Sequence, residues 1–205
     1  ALARLQIARI TLSEAERRPL SRAELRAQAG ESALAGLANA RKITDADLRY
    51  EMVSRLTESA LDAGSGNDQR LTDQLSELRE SFSGNAEREA LIYALHGRAM
   101  LQGERMDQAA ALFRRAIFFE SQRPQPLRLA DWYLLLAEAD TANREQYVMQ
   151  SYQILESVRP LLPAVDPITE ESLFKLRMQP VFSAAVDVQL SRDATGLEIN
   201  RILAA

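Results

Sequence analysis

Five positions between Tyr93 and Ala116 have counterparts 39 residues further along the chain. Tyr93 pairs with Trp132, Gly97 with Leu136, Ala109 with Val148, Phe113 with Tyr152 and Ala116 with Leu155. An aromatic and a small or aliphatic residue are followed by a small residue, an aromatic and another small one. Two helices of a hairpin need that arrangement, because they approach closely only where one side contributes small side chains and aromatics fill the gaps beside them. One hairpin cannot bury its own apolar stripe, so copies must stack. The expected fold class is therefore all-α, an array of antiparallel helix hairpins.

The rest of the chain agrees. Apolar residues recur at intervals of three and four, and no stretch alternates in the manner of a strand. The first helix is expected over 2–17, burying Leu5, Ile10 and Leu12 and stopping before Pro19. Ser21 with Glu24 reads as a capping box opening a second helix to residue 40, and Thr44 with Asp47 as the start of a third, burying Leu48, Met52, Leu56 and Ala60. Gly64 to Asn67 reads as a flexible turn. Leu71, Leu75, Leu78 and Phe82 carry a fourth helix, ended by Ser83, Gly84 and Asn85. Helices over 86–102 and 106–120 join around Gly103, and Pro124 and Pro126 forbid continuation. A further pair spans 127–141 and 144–158, with Asn143 and Gln146 as cap and capping partner. Pro160, Pro163 and Pro167 mark a stiff linker. Asp166 opens a helix with Leu173, Leu176 and Met178, Pro180 resets the chain into 181–190, and Leu197, Ile199, Ile202 and Leu203 make a last amphipathic piece. About 10–11 helices are expected, grouped as 1–84, 85–163 and 164–205 within one continuous domain.

Between Ala90 and Arg123 the chain resembles the tetratricopeptide repeat: Tyr93, Gly97, Met106, Ala109, Phe113 and Ala116 fall at that family's spacing. Ser121 stands where the family has proline. A second unit, about Leu129 to Leu162, keeps Trp132, Leu135, Tyr152 and Pro160 in register but has Leu136, Val148 and Leu155 for the small residues. The resemblance implies a right-handed superhelical solenoid whose first helices line a concave groove. Carrying that register across places Leu91, Ala94, Arg98 and Gln102 in the groove from one unit and Tyr133, Ala137 and Asp140 from the next. Arg98, Gln102, Tyr133 and Asp140 are the expected contacts to a peptide. A second string, running from Val158 through Pro160, Pro163, Asp166 and Leu173 to Ala184–Leu190, is similar to the region preceding the protease-like CHAT domain in bacterial repeat proteins. That resemblance implies a regulatory half whose catalytic domain lies elsewhere. The family's His and Cys dyad has no counterpart in a chain with one histidine and no cysteine.

The absence of cysteine removes disulfides, thiolate metal sites and a thiol nucleophile. His96 has no second ligand type nearby, and Asp166, Glu170 and Glu171 read as helix-start carboxylates rather than a calcium site. No phosphate loop or nucleophile elbow is present. The expectation is a non-enzyme without metal or cofactor, which binds a protein or peptide, including a C-terminal domain of its own full-length chain. Net charge is −4, which disfavours nucleic acid. The first 42 residues nevertheless hold Arg4, Arg9, Arg17, Arg18, Arg22, Arg26, Arg41 and Lys42 against four glutamates, an alternative surface for nucleic acid or an acidic partner. No apolar run approaches a membrane span and the first residues lack a signal-peptide block. The start at Ala1 reads as a trimmed or processed chain, and the compartment, cytoplasmic or periplasmic, stays open.

Overall fold

Small side chains decide how the first helices meet. In the computed structural model, which describes residues 1–17, 21–163, 172, 175 and 178–191, α1 (Leu2–Arg17) packs along α2 (Arg22–Ala40). Helix α1 buries Leu5, Ala8 and Ala15, with Leu12 half-buried in the same stripe, and α2 answers with alanines and glycines. A Cβ at Gly36 would stand 2.6 Å from a Leu56 methyl and 3.2 Å from the Arg4 Cβ. There α1, α2 and α3 (Ala46–Asp62) come together with room for nothing larger than hydrogen. Ile10, expected inside, is 62% exposed. The sharper stripe is Leu5, Ala8, Leu12 and Ala15, because alanine permits a closer approach than isoleucine. Leu48 is likewise exposed, lying in the first turn of α3 ahead of the buried run that starts at Met52.

Helix starts differ from expectation in chemistry more than in place. Asp45, not Thr44, caps α3, its carboxylate accepting from the Leu48 N–H at 2.8 Å. Ser21 occupies the N-cap of α2 with φ −113° and ψ 12° and makes no side-chain capping bond. Asp68 and Asn85 cap α4 (Gln69–Ser81) and α5 (Ala86–Gln102) through their side chains. The next helix, α6, spans Met106–Glu120.

Two helices end in the same closing motif. After α3 the N–H of Ser65 reaches Ala60 O and that of Gly64 reaches Leu61 O, each at 2.9 Å, with Gly64 left-handed at φ +88°. After α5, Arg105 N–H reaches Met100 O and Glu104 N–H reaches Leu101 O. The left-handed position there falls on Glu104, at φ 56°. Gly103 is not left-handed; a Cβ there would come within 2.6 Å of Asn67 Oδ1, the tip of a side chain that can move aside.

The chain forms two compact units, Ala1–Phe119 and Glu120–Ala205. In the first, α1 packs on α3, α2 on α4 and α3 on α5, in addition to sequential neighbours. Polar bonds fix the direction of two of these next-but-one pairs. Near the starts of α3 and α5, Arg88 Nη2 bonds Asp47 Oδ1 at 2.6 Å; near their ends, Arg98 Nη2 bonds Asp62 Oδ1 at 2.7 Å. Arg70 meets Glu31 at 3.1 Å and Arg41 meets Glu77 at 3.2 Å, giving α2 and α4 the same sense. Helix α3 therefore runs parallel to α5, and α2 to α4.

In the second unit, α7 (Pro126–Ala139) and α8 (Arg144–Val158) form a hairpin against which α9 (Gln179–Ser191) packs. Single 3-10 turns occupy Thr141–Asn143 and Arg159–Leu161. Asn143 does not cap α8 by its side chain; its amide bonds the Asp140 carboxylate at 3.0 Å and 3.2 Å. Pro180 sits in the first turn of α9, where a missing N–H costs little. Nine α-helices and no strand occur among the described residues. Pro19, Asp166, Pro167, Glu170, Glu171, Leu173, Leu176 and the 197–203 piece lie outside them, as does part of the string similar to the CHAT-preceding region.

Candidate functional site

The aligned hairpins, α5–α6 and α7–α8, are each closed through their matched residues. Gly97 faces the Phe113 ring so closely that a Cβ would lie 2.9–3.1 Å from three ring carbons, and Ala109 and Ala116 are fully buried beside it. In the second hairpin Leu136, Val148 and Leu155 are buried at the equivalent positions and Trp132 is 5% exposed. There the buried Ser151 hydroxyl donates to Ala130 O at 2.7 Å, tying α8 to α7. The two less buried aromatics meet other rings: Tyr93 stacks on Phe119 at 5.6 Å, and Tyr152 lies edge-on to Phe182 at 5.3 Å. Pro160 is exposed within its 3-10 turn.

Arg98 and Gln102 turn inward to the α3 end of the first unit. The Arg98 guanidinium is held by Asp62. The Gln102 amide is spent twice: its Nε2 donates to Leu61 O at 2.7 Å and its Oε1 accepts from Gly66 N–H at 2.9 Å. Gly66 has no room for a side chain, since a Cβ would be 2.6 Å from the Gln102 Cβ. The 64–67 turn, expected to be flexible, is thus tied down onto the end of α5. Glycines there serve close approach and a left-handed cap, uses that composition alone does not separate from looseness.

Tyr133 and Asp140 belong to the second unit. Asp140 receives the Asn143 amide. Tyr133 stacks with Tyr147 at 6.3 Å, and burial followed by the Tyr147 neighbour pushes its phenol above the ordinary value of 10.0. Tyr133 also lines a cleft of about 250 Å³ with Gln150, Gln153, Ile154 and Ser157. Four of the five lining residues come from α8, at helical spacings that put them on one side, so this surface is not the first-helix face the repeat register implies. Gln150 Oε1 is buried with no hydrogen-bond partner among the described residues. Ser157 Oγ donates to Ile154 O at 2.7 Å.

The basic N-terminal segment contributes a larger cleft, about 770 Å³, between the first turns of α2 and the 63–68 turn. Arg22 and Arg26 line it, both exposed. Its rim is the Glu31–Arg70–Asp68 network, in which hydrogen bonding from Arg70 holds Asp68 below the usual carboxylate range.

Sequence patterns gave no notice of two polar knots. Arg88 lies 4.9 Å over the Tyr50 ring and 4.7 Å over Phe82 while bonded to Asp47. Glu120, 2% exposed, accepts from Gln125 N–H at 2.9 Å and brackets Arg128 at 2.8 Å and 3.1 Å, and the guanidinium lies over Trp132 at 5.4 Å. An acidic residue closing an apolar helix just before a proline turn, with an arginine eight positions on, is the signal that points to such a pair. His96 is half-buried; burial, then Arg79 and Arg105, lower its pKa from 6.5. Among the described residues no cluster of His, Asp and Glu has the makings of a metal site, and no helix is long and apolar enough to cross a membrane. No protein-family model matches the chain, and no curated protein matches it either.

Proposed function

We propose that this chain is a non-catalytic interaction scaffold of the tetratricopeptide kind, a superhelical stack of hairpins that holds a peptide or protein segment. The parallel packing of α3 with α5 and of α2 with α4 carries the reading. Residues joined across α3 and α5 or across α2 and α4 are 36 to 41 positions apart, close to the offset that aligns α5–α6 with α7–α8. A hairpin repeated at a near-constant period presents the same helix face again and again, and such surfaces bind extended or helical segments. Selection from a randomised peptide display library on the intact chain should return peptides that bind in the micromolar range or tighter. Failure to select any peptide, together with no partner captured from extracts of the source cell, contradicts the reading.

The Arg22 and Arg26 cleft favours a second reading, in which the partner is acidic. Binding to an Asp/Glu-rich peptide that weakens steeply with salt, and is lost in Arg22→Ala/Arg26→Ala, supports it. Binding indifferent to salt removes it.

A further inference from the structure

We propose that the outer face of α1 is a self-association surface, on which a second copy of this chain lays its own α1 in the antiparallel sense. The face lies opposite the stripe of Leu5, Ala8, Leu12 and Ala15 that packs into the first unit. Ala3, Ile7, Ile10 and Glu14 follow one another at steps of four, three and four, which sets them in one line along the helix. All four are exposed, Ile7 at 46% and Ile10 at 62%. Two isoleucines one turn apart in open water are a loss that a covering surface recovers. The pairing does not depend on what the stack of hairpins holds.

Helix α2 narrows what covers them. A further hairpin stacked on this end would lie over α1 and α2 together, yet every exposed side chain of α2 is charged, an amide or an alanine, among them Glu24, Gln28, Glu31 and Asn39. The apolar strip is one helix wide and fits one helix. Its own sequence supplies the complement. Laid antiparallel about a two-fold axis midway between Ala8 and Arg9, the strip sets Ile7 opposite Ile10 of the second copy, and Ile10 opposite its Ile7. Ala3 falls opposite Glu14 of the second copy and leaves room for that carboxylate to turn toward Arg4, the exposed residue beside Ala3. Symmetry makes this ion pair twice. Parallel pairing would instead set Glu14 against Glu14 and Arg4 beside Arg4, so charge selects the antiparallel arrangement. A seam of about three turns belongs with the small interfaces, below about 1,200 Å², and so forms a reversible dimer.

Sedimentation equilibrium of the full chain across a wide concentration range should show a mass rising from 22.9 kDa toward twice that value, with a dissociation constant in the micromolar range. Ile7→Lys and Ile10→Lys should each weaken association by about tenfold or more. Neither should move the melting temperature of dilute protein, because neither isoleucine supports the core of the single chain. Arg4→Glu should also weaken association, and Arg4→Glu/Glu14→Arg should restore it. The chain has no cysteine, so direction can be read by disulfide formation: Ala3→Cys and Glu14→Cys chains mixed under mild oxidation should join to each other, and neither to itself. A chain that stays monomeric at every concentration overturns the proposal, as does association that both lysine variants leave unchanged. Self-linkage of each cysteine variant, with none between the two, overturns the antiparallel pairing.

Discussion

Gly97 and Glu104 make opposite predictions from the same helix. Gly97 sits under the Phe113 ring, and the ring cannot retreat because it is wholly buried. Gly97→Ala should lower stability by about 1–3 kcal/mol through overpacking, read as a shift in the urea midpoint at constant slope. Glu104 holds a left-handed φ of 56°, a conformation costing a side chain roughly 1 kcal/mol and a glycine almost nothing. Glu104→Gly should therefore raise stability by a fraction of that amount, the added unfolded-state entropy taking back the rest. A fall would mean that the Glu104 side chain makes a contact worth more than its strain. His96 adds a pH dependence. Its folded pKa lies below 6.5, so the unfolded chain takes up the proton first. The stability His96 contributes is complete above about pH 6.5 and is lost as pH falls. Glu138, whose carboxyl is pushed up by burial, slopes the other way. The quantity to measure is thus the difference between the parent and His96→Asn at pH 7.5 and 5.5, which should shrink toward the lower pH.

At the scale of elements, α3 and α5 are joined at both ends by arginines. Arg88 does more than pair with Asp47, since its guanidinium also covers two rings that meet each other edge-on at 5.2 Å. Arg88→Ala should cost about 1–2 kcal/mol and Arg88→Lys part of that, because an ammonium lacks the planar face; thermal melts of the two variants check it. The exposed Arg55–Glu51 pair should matter by a few tenths at most. Helix existence and most boundaries were legible in the sequence, because the three-and-four spacing of Met52, Leu56 and Ala60 or of Leu71, Leu75 and Leu78 has one solution. Which face is buried was legible only where large residues mark it. Alanine and glycine are legible where aromatics recur beside them, as at Gly97, Ala109 and Ala116, and silent elsewhere, so nothing in the pattern ranks Ala8 and Ala15 above Ile10. Caps were legible as places but not as atoms: Thr44 and Asp45 are both capable, and backbone direction chose Asp45. Of the residues singled out for binding, Arg98 and Gln102 are engaged with α3 and its turn. Tyr133 leads to a cleft whose other members, on α8, carry no pattern that separates them from solvent-facing polar residues.

On the scale of the whole molecule, hairpins become a stack when helices two apart run in the same direction, as α3 with α5 and α2 with α4 do. A lone bundle would bury the same residues without presenting one face repeatedly. The chain contains no cysteine, so thiols can be placed in pairs without background. Asp47→Cys/Arg88→Cys joins the starts of α3 and α5, Asp62→Cys/Arg98→Cys joins their ends, and Asp47→Cys/Arg98→Cys is the crossed control. Treatment of the three double variants with a short bis-maleimide, followed by mass spectrometry of the intact and digested chain, reads the arrangement directly. Parallel stacking predicts rapid intramolecular linkage of the first two pairs and none of the third; linkage of the crossed pair, with the matched pairs left unlinked, would contradict it.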